Sequence, residues 1–172
     1  EALAVRGTPS PVLEQVSYSP SFGYAQFDFS QQGTLVYRSG SAEGSLLTVQ
    51  WLDSAGKMQP LLVKPDAYQS ARLSPDGQRL AIATTDLWVY EWQRDTMTRL
   101  TFGGSLGNNS VPAVWSPDGR YLIFRKSGEG LFWMRSDGAG QPQLLVQSTT
   151  AIMAGSFTPD GKRLAFRERS AG

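Results

Sequence analysis

With 172 residues the chain can bury a core of its own. Its 16 Lys plus Arg against 15 Asp plus Glu leave a net charge of +1, too little to draw it onto nucleic acid or an acidic membrane. It contains neither cysteine nor histidine, which excludes disulfides, Cys or His metal sites and nucleophile–base pairs built on His. Eighteen Gly and ten Pro beside 18% charged residues favour a turn-dense β protein. No amphipathic helix is legible, nor a signal peptide, nor the run of roughly 18 apolar residues that a membrane span needs. Residues 1–110 hold eight basic and ten acidic side chains, and 111–172 hold eight and five. The basic excess reads as solvated strand faces, because Arg120, Arg125, Lys126, Arg163 and Arg167 form no block.

In chain order, the first expected elements are two short strands at 3–5 and 12–14, joined by a turn at 7–10. Next come strands at 24–29, 35–38, 46–52 and 58–63, with a turn at 53–56. A third group follows at 68–73, 79–84, 86–92 and 98–102, in which 86–92 alternates as a half-buried strand does. A fourth group runs 111–115, 120–126, 131–135 and 143–146. The chain ends with strands at 152–157 and 163–168. Because it begins at Glu1, inside an expected strand and without an initiator Met, it is expected to be a piece of a longer protein.

One four-residue word sets the beat. Ser74-Pro75-Asp76-Gly77 returns as Ser116-Pro117-Asp118-Gly119 and as Thr158-Pro159-Asp160-Gly161, each before an apolar run. Pro presets φ, Asp bonds the backbone ahead of it, and Gly accepts positive φ, so the word spells a strand-to-strand turn. A weaker copy, Ser30-Gln31-Gln32-Gly33, keeps only the Gly and the apolar run after it. The glycines at 33, 77, 119 and 161 step by 44, 42 and 42 residues. That period with β-rich content predicts an all-β propeller of four-stranded blades. Four blades result if the N-terminal strands complete the last one beside the C-terminal pair. An open arc of a larger propeller, or two chains completing one ring, has the same internal period.

The phrases Leu73-Ser-Pro-Asp-Gly-Gln-Arg-Leu-Ala81, Asp86-Leu-Trp-Val-Tyr90 and Met97-Thr-Arg-Leu-Thr-Phe102 resemble the TolB-type, WD-repeat-like β-propeller repeat. Within it, Gly33-Thr-Leu-Val-Tyr37 and Trp51-Leu-Asp-Ser-Ala-Gly-Lys57 are similar to the propeller that follows the kinase domain in some bacterial eukaryote-like serine/threonine kinases. Similar repeats occur in periplasmic TolB and in the propellers that gate prolyl-oligopeptidase-like hydrolases. The resemblance implies a non-catalytic module for a protein or peptide partner, placed in the periplasm or otherwise outside the cytoplasm. The alternative it implies is the regulatory propeller of a serine peptidase. A structural unit whose blade edges pair between chains is a third reading.

Enzyme motifs are missing. The sequence has no Gly-x-Ser-x-Gly elbow, no phosphate loop and none of the kinase motifs that hold ATP. No cofactor is expected, and Asp76, Asp118 and Asp160 are expected to form turns and not to bind a metal. The aromatics Trp88, Trp92, Trp115, Trp133, Phe124, Phe132, Phe157 and Phe166 are expected to pack between blades. Recognition is expected at loops 18–23, 64–68, 103–110 and 147–150, which converge at one channel mouth. Tyr18, Phe22 and Tyr68 would offer aromatic surface there, and Lys64, Asp66, Asn108, Asn109 and Gln147 hydrogen bonds.

Overall fold

The computed structural model describes residues 16, 18–19, 24–25, 27–29, 34–39, 46–107 and 112–169. The expected N-terminal strand pair, and with it the closure of a four-bladed ring, lies outside them. The described residues contain sixteen strands and no helix. A short hairpin, β1 (Tyr18–Ser19) with β2 (Tyr24–Ala25), precedes the first complete sheet, so the expected strand 24–29 contributes Tyr24–Ala25 to the hairpin and Phe27–Phe29 to that sheet. That sheet orders β3 (Phe27–Phe29), β4 (Leu35–Ser39), β5 (Leu47–Leu52) and β6 (Met58–Asp66). The second holds β7 (Ser70–Leu73), β8 (Arg79–Ala83), β9 (Leu87–Glu91) and β10 (Thr96–Arg99). The third holds β11 (Val114–Trp115), β12 (Tyr121–Lys126), β13 (Gly130–Arg135) and β14 (Gln143–Gln147). A fourth pairs β15 (Ile152–Phe157) with β16 (Leu164–Glu168). All pairings are antiparallel between consecutive strands, the meander of a propeller blade.

The repeated word forms one turn three times. Ser74 Oγ donates to Asp76 Oδ1 at 2.5 Å and accepts the Arg79 N–H at 2.9 Å, while Asp76 Oδ1 accepts the Gln78 N–H at 3.1 Å. Ser116 with Asp118, and Thr158 with Asp160, repeat these bonds. Gly77, Gly119 and Gly161 sit at φ of 64°, 67° and 70°, a conformation that would strain any other residue. The aspartates are therefore turn formers, as expected. Hydrogen bonds from Ser116 and then Arg120 hold the Asp118 carboxyl down to about 2. The first copy differs in register. Phe29 pairs with Leu35, which leaves residues 30–34 between the paired ends, one fewer than 74–79 between Leu73 and Leu80. Leu35 is thus the counterpart of Leu80, one place away from the match that aligning Gly33 with Gly77 suggests.

Burial explains why strand alternation misleads here. On β8, Leu80 and Ile82 face the first sheet and join Val36, Val49, Leu61 and Leu62 in one core. Ala81 and Ala83 face the third and join Val89, Trp115, Leu122, Phe124 and Met134 in another. All four side chains are buried, so alternation separates one neighbouring blade from the other instead of core from solvent. The same holds for 86–92, where Trp88 and Trp92 pack on the first sheet and Trp92 meets Trp51 edge-on at 4.8 Å. Trp115, Phe124 and Phe132 are buried as expected, but Phe166 is 46% exposed on β16, which among the described residues pairs with β15 alone.

Polar links span the same seams. Arg79 reaches from the second sheet to the Gly119 carbonyl (2.9 Å) and Ser136 Oγ (3.0 Å), with its guanidinium 5.0 Å from the Trp115 ring centre. Two of the departures from the expected strand boundaries have a local cause. β6 runs on to Asp66 because an outermost strand tolerates Pro60 and Pro65, with register shifts opposite absorbing the mismatch. β10 begins at Thr96 because Asp95, at φ 49°, closes the preceding turn early while accepting the Tyr90 hydroxyl at 2.9 Å.

Candidate functional site

Of the eight residues expected at the loop mouth, four have described side chains: Lys64, Asp66 and Gln147 are exposed and Tyr68 is buried. Phe22, Asn108 and Asn109 lie outside the described residues, and Tyr18 is placed only as backbone in β1. Lys64 and Asp66 are exposed but belong to β6, not to a loop. Gln147 is exposed at the end of β14, opposite Gly130. Tyr68 is the clear correction. It is 7% exposed, sits in the core between the first two sheets, and donates its hydroxyl to the Lys64 carbonyl at 3.0 Å. Burial, then the charge of Asp66, pushes its phenol above the ordinary range. The extension of β6 swings the chain straight into the seam, so this ring has no surface to offer.

What organises the loop end is Asp86, which the sequence reading passed over. Its buried carboxylate accepts from Arg99 Nη2 at 2.6 Å, Thr101 Oγ1 at 3.0 Å and the Gly104 N–H at 3.1 Å. Burial alone would raise this carboxyl, yet these hydrogen bonds and the Arg99 charge hold it below its usual value. Arg99 lies between two rings, 5.2 Å from the Trp88 centre and 4.9 Å from that of Phe102. Phe102 is 70% exposed. The network therefore fixes a loop that presents one aromatic ring. An Asp immediately before a strand, with Arg and Thr thirteen and fifteen residues later, is the signal that carried it.

At the opposite end, the innermost strands open a cleft of about 450 Å³ around the channel axis. Each sheet contributes to it: Asp28 from β3, Arg72 from β7, Val114 from β11 and Ser156 from β15, with Pro75, Pro117 and Pro159 from the repeated turns at its rim. Asp28 Oδ2 accepts the Leu73 N–H at 2.9 Å, and Arg72 Nη1 donates to the Phe27 carbonyl at 3.0 Å. Trp115 Nε1 donates to the Arg72 carbonyl at 3.0 Å. Burial raises the Asp28 carboxyl in spite of the Arg72 charge and the Leu73 and Phe29 N–H groups, which act to lower it. The cleft thus sets a carboxyl and a guanidinium from adjacent blades side by side among proline rings. Among the described residues no group of three or more His, Cys, Asp and Glu side chains is placed to hold a metal.

Sheets of four meandering strands packed face to face around an axis define a β-propeller. Two solved structures agree. TolB from Acinetobacter baumannii matches with a TM-score of 0.58 and 19% identity, over 79% of this chain and 35% of that one. The β-propeller domain of the Trilobed protease from Pyrococcus furiosus, described as having an open velcro topology, matches at 0.56 and 12% identity, over 75% of this chain and 43% of that one. The fold is therefore a TolB-like β-propeller, and the chain spans less than half the length of either structure. No protein-family model matches the sequence.

Proposed function

We propose that the chain is a non-catalytic β-propeller module that binds a protein or peptide partner at the channel cleft. The observation that carries this reading is the meeting of Asp28 and Arg72 with three proline rings in one open cleft of about 450 Å³. A concave site of this size, mostly apolar with a few fixed polar groups, suits an inserted peptide segment. The non-catalytic assignment draws on the lack of His and Cys and on the commitment of Asp76, Asp118 and Asp160 to turns.

We assign the module to the extracytoplasmic sensor region of a bacterial kinase-like receptor, on the strength of the phrases at 33–37 and 51–57. The alternative, a regulatory propeller of a prolyl-oligopeptidase-like serine peptidase, is favoured by the likeness to a protease's propeller domain. The full gene separates the two: a kinase domain and membrane span upstream belong to the first, an α/β-hydrolase domain to the second. For the binding site, immobilised chain is compared with its Ser156→Trp variant, which fills the cleft, in capturing proteins from an extract of the source cells. A partner retained by the first and lost by the second is expected. Equal capture by both overturns the channel site.

A further inference from the structure

The fourth sheet carries a second surface, distinct in its floor from the channel cleft. Among the described residues β16 pairs with β15 alone, so its far edge presents backbone donors and acceptors without a ladder partner there. In the second and third sheets, the strand at this place is filled by β9 and β13. These press alternate bulky side chains, Tyr90 and then Phe132 with Met134, onto the preceding sheet. Beside β16 the same place is a groove of about 590 Å³, floored by Tyr121, Trp133 and Leu145 and walled by Phe157 and Leu164. Leu145 is 47% exposed within it.

The other face of β16 is basic. Side chains alternate along a strand, so Arg163, Ala165, Arg167 and Arg169 share the face turned away from the third sheet. Arg167 donates to Met153 Sδ at 2.9 Å. Among the described residues no carboxylate lies within ion-pair distance of Arg163 or Arg169, whereas six other basic side chains have such partners. An added strand would thus meet an apolar floor on one face and arginines beside the other.

We propose that this edge is a strand-addition site for an extended partner segment that alternates bulky apolar side chains with carboxylates. The partner's backbone continues the β16 ladder, its apolar set seats on Tyr121, Trp133 and Leu145, and its carboxylates stand across from Arg163 and Arg169. The chain's own residues 3–6 fit less well. Leu3 and Val5 supply an apolar pair, but Ala4 and Arg6 occupy the alternate positions, where the face asks for negative charge.

The test uses the whole chain and a fluorescein-labelled synthetic peptide, Glu-Val-Glu-Trp-Glu-Tyr-Glu-Val-Glu-Gly, with binding read by anisotropy. Saturable binding is expected. It should weaken at least tenfold when the central Glu of the peptide is replaced by Pro, when Lys replaces every Glu, or when the protein carries Arg163→Glu or Leu145→Glu. Both substituted residues are exposed, and circular dichroism checks that the β signature is kept. Ser156→Trp, which blocks only the channel cleft, should leave this binding unchanged, so failure here and failure at the channel are separable. No binding, equal binding of the Lys peptide, or indifference to both protein variants overturns the proposal. A spontaneous intramolecular disulfide in an Ala4→Cys, Ala165→Cys double variant of the otherwise cysteine-free chain gives the edge to residues 3–6 and also overturns it.

Discussion

The third and fourth sheets carry nearly the same turn, yet they differ in what surrounds it. Leu122 and Phe124 in β12 are 0% and 1% exposed, and Phe166, the counterpart of Phe124 in β16, is 46% exposed. The hydrogen bonds of the turn are nevertheless the same, Ser116 to Asp118 and Thr158 to Asp160 both at 2.6 Å. The turn is therefore closed by its own residues, whereas burial is supplied by the neighbouring blade. This is the energetic division of a repeat protein, local terms within a unit and interface terms between units.

The largest effect that tests this division is truncation at matched positions. Leu122→Ala should cost about 4 kcal/mol and Leu164→Ala about 1 kcal/mol, measured as shifts in urea midpoint. Equal losses would show that the fourth sheet is covered as fully as the third. Next, Asp86→Ala should cost about 3 kcal/mol, since it leaves Arg99 without its buried partner. Arg99 is 37% exposed, so the low end of that class applies. By contrast Glu129, the residue before β13, has an ion pair with Lys126 at 3.6 Å on the surface, and Glu129→Ala should be nearly neutral. Gly119→Ala should cost about 1 to 2 kcal/mol through its positive φ alone. Gly161→Ala should cost slightly less, because the added methyl at 119 would also meet Arg79 Nη2 at 3.0 Å and disturb the bridge between blades.

The smallest effect concerns pH and should be alike in both sheets. Asp118 is held at about 2, and Asp160 is lowered by its bonds from Thr158 and the Lys162 N–H. Their ionised forms stabilise the fold above the unfolded value of about 4, and that contribution is lost as pH falls toward about 2. Melting temperature should therefore drop over this window, and Asp118→Asn or Asp160→Asn should flatten the drop to a similar extent. A marked difference between the two variants would show that these turns are not autonomous.

The same division explains what could be read from the sequence. The turns, the strand order and the period were legible because they depend on residues within a few positions of one another. Tyr68 lies in the loop between β6 and β7 as expected, but its burial was not legible, because the run of β6 past Pro65 that carries this loop into the seam depends on its being an outermost strand. The meeting of Asp28 and Arg72 in one cleft brings together residues of separate blades and becomes visible only when the sheets stand side by side. Asp86 was locally legible, but its position before a strand resembles an ordinary turn aspartate until Arg99 closes on it.

The two faces of β8 carry a geometric consequence. Toward the first sheet it presents Leu80 and Ile82, and toward the third it presents Ala81 and Ala83, which lie against the larger Trp115 and Phe124. The spacing of adjacent blades follows the combined bulk of facing side chains, so bulk placed near the axis or away from it changes the angle at which the next blade departs. That angle, repeated at every seam, fixes how many blades complete a circle. The methyl groups of Ala81 and Ala83 therefore act as shims, and the ring size of this propeller is written partly in which residues stayed small.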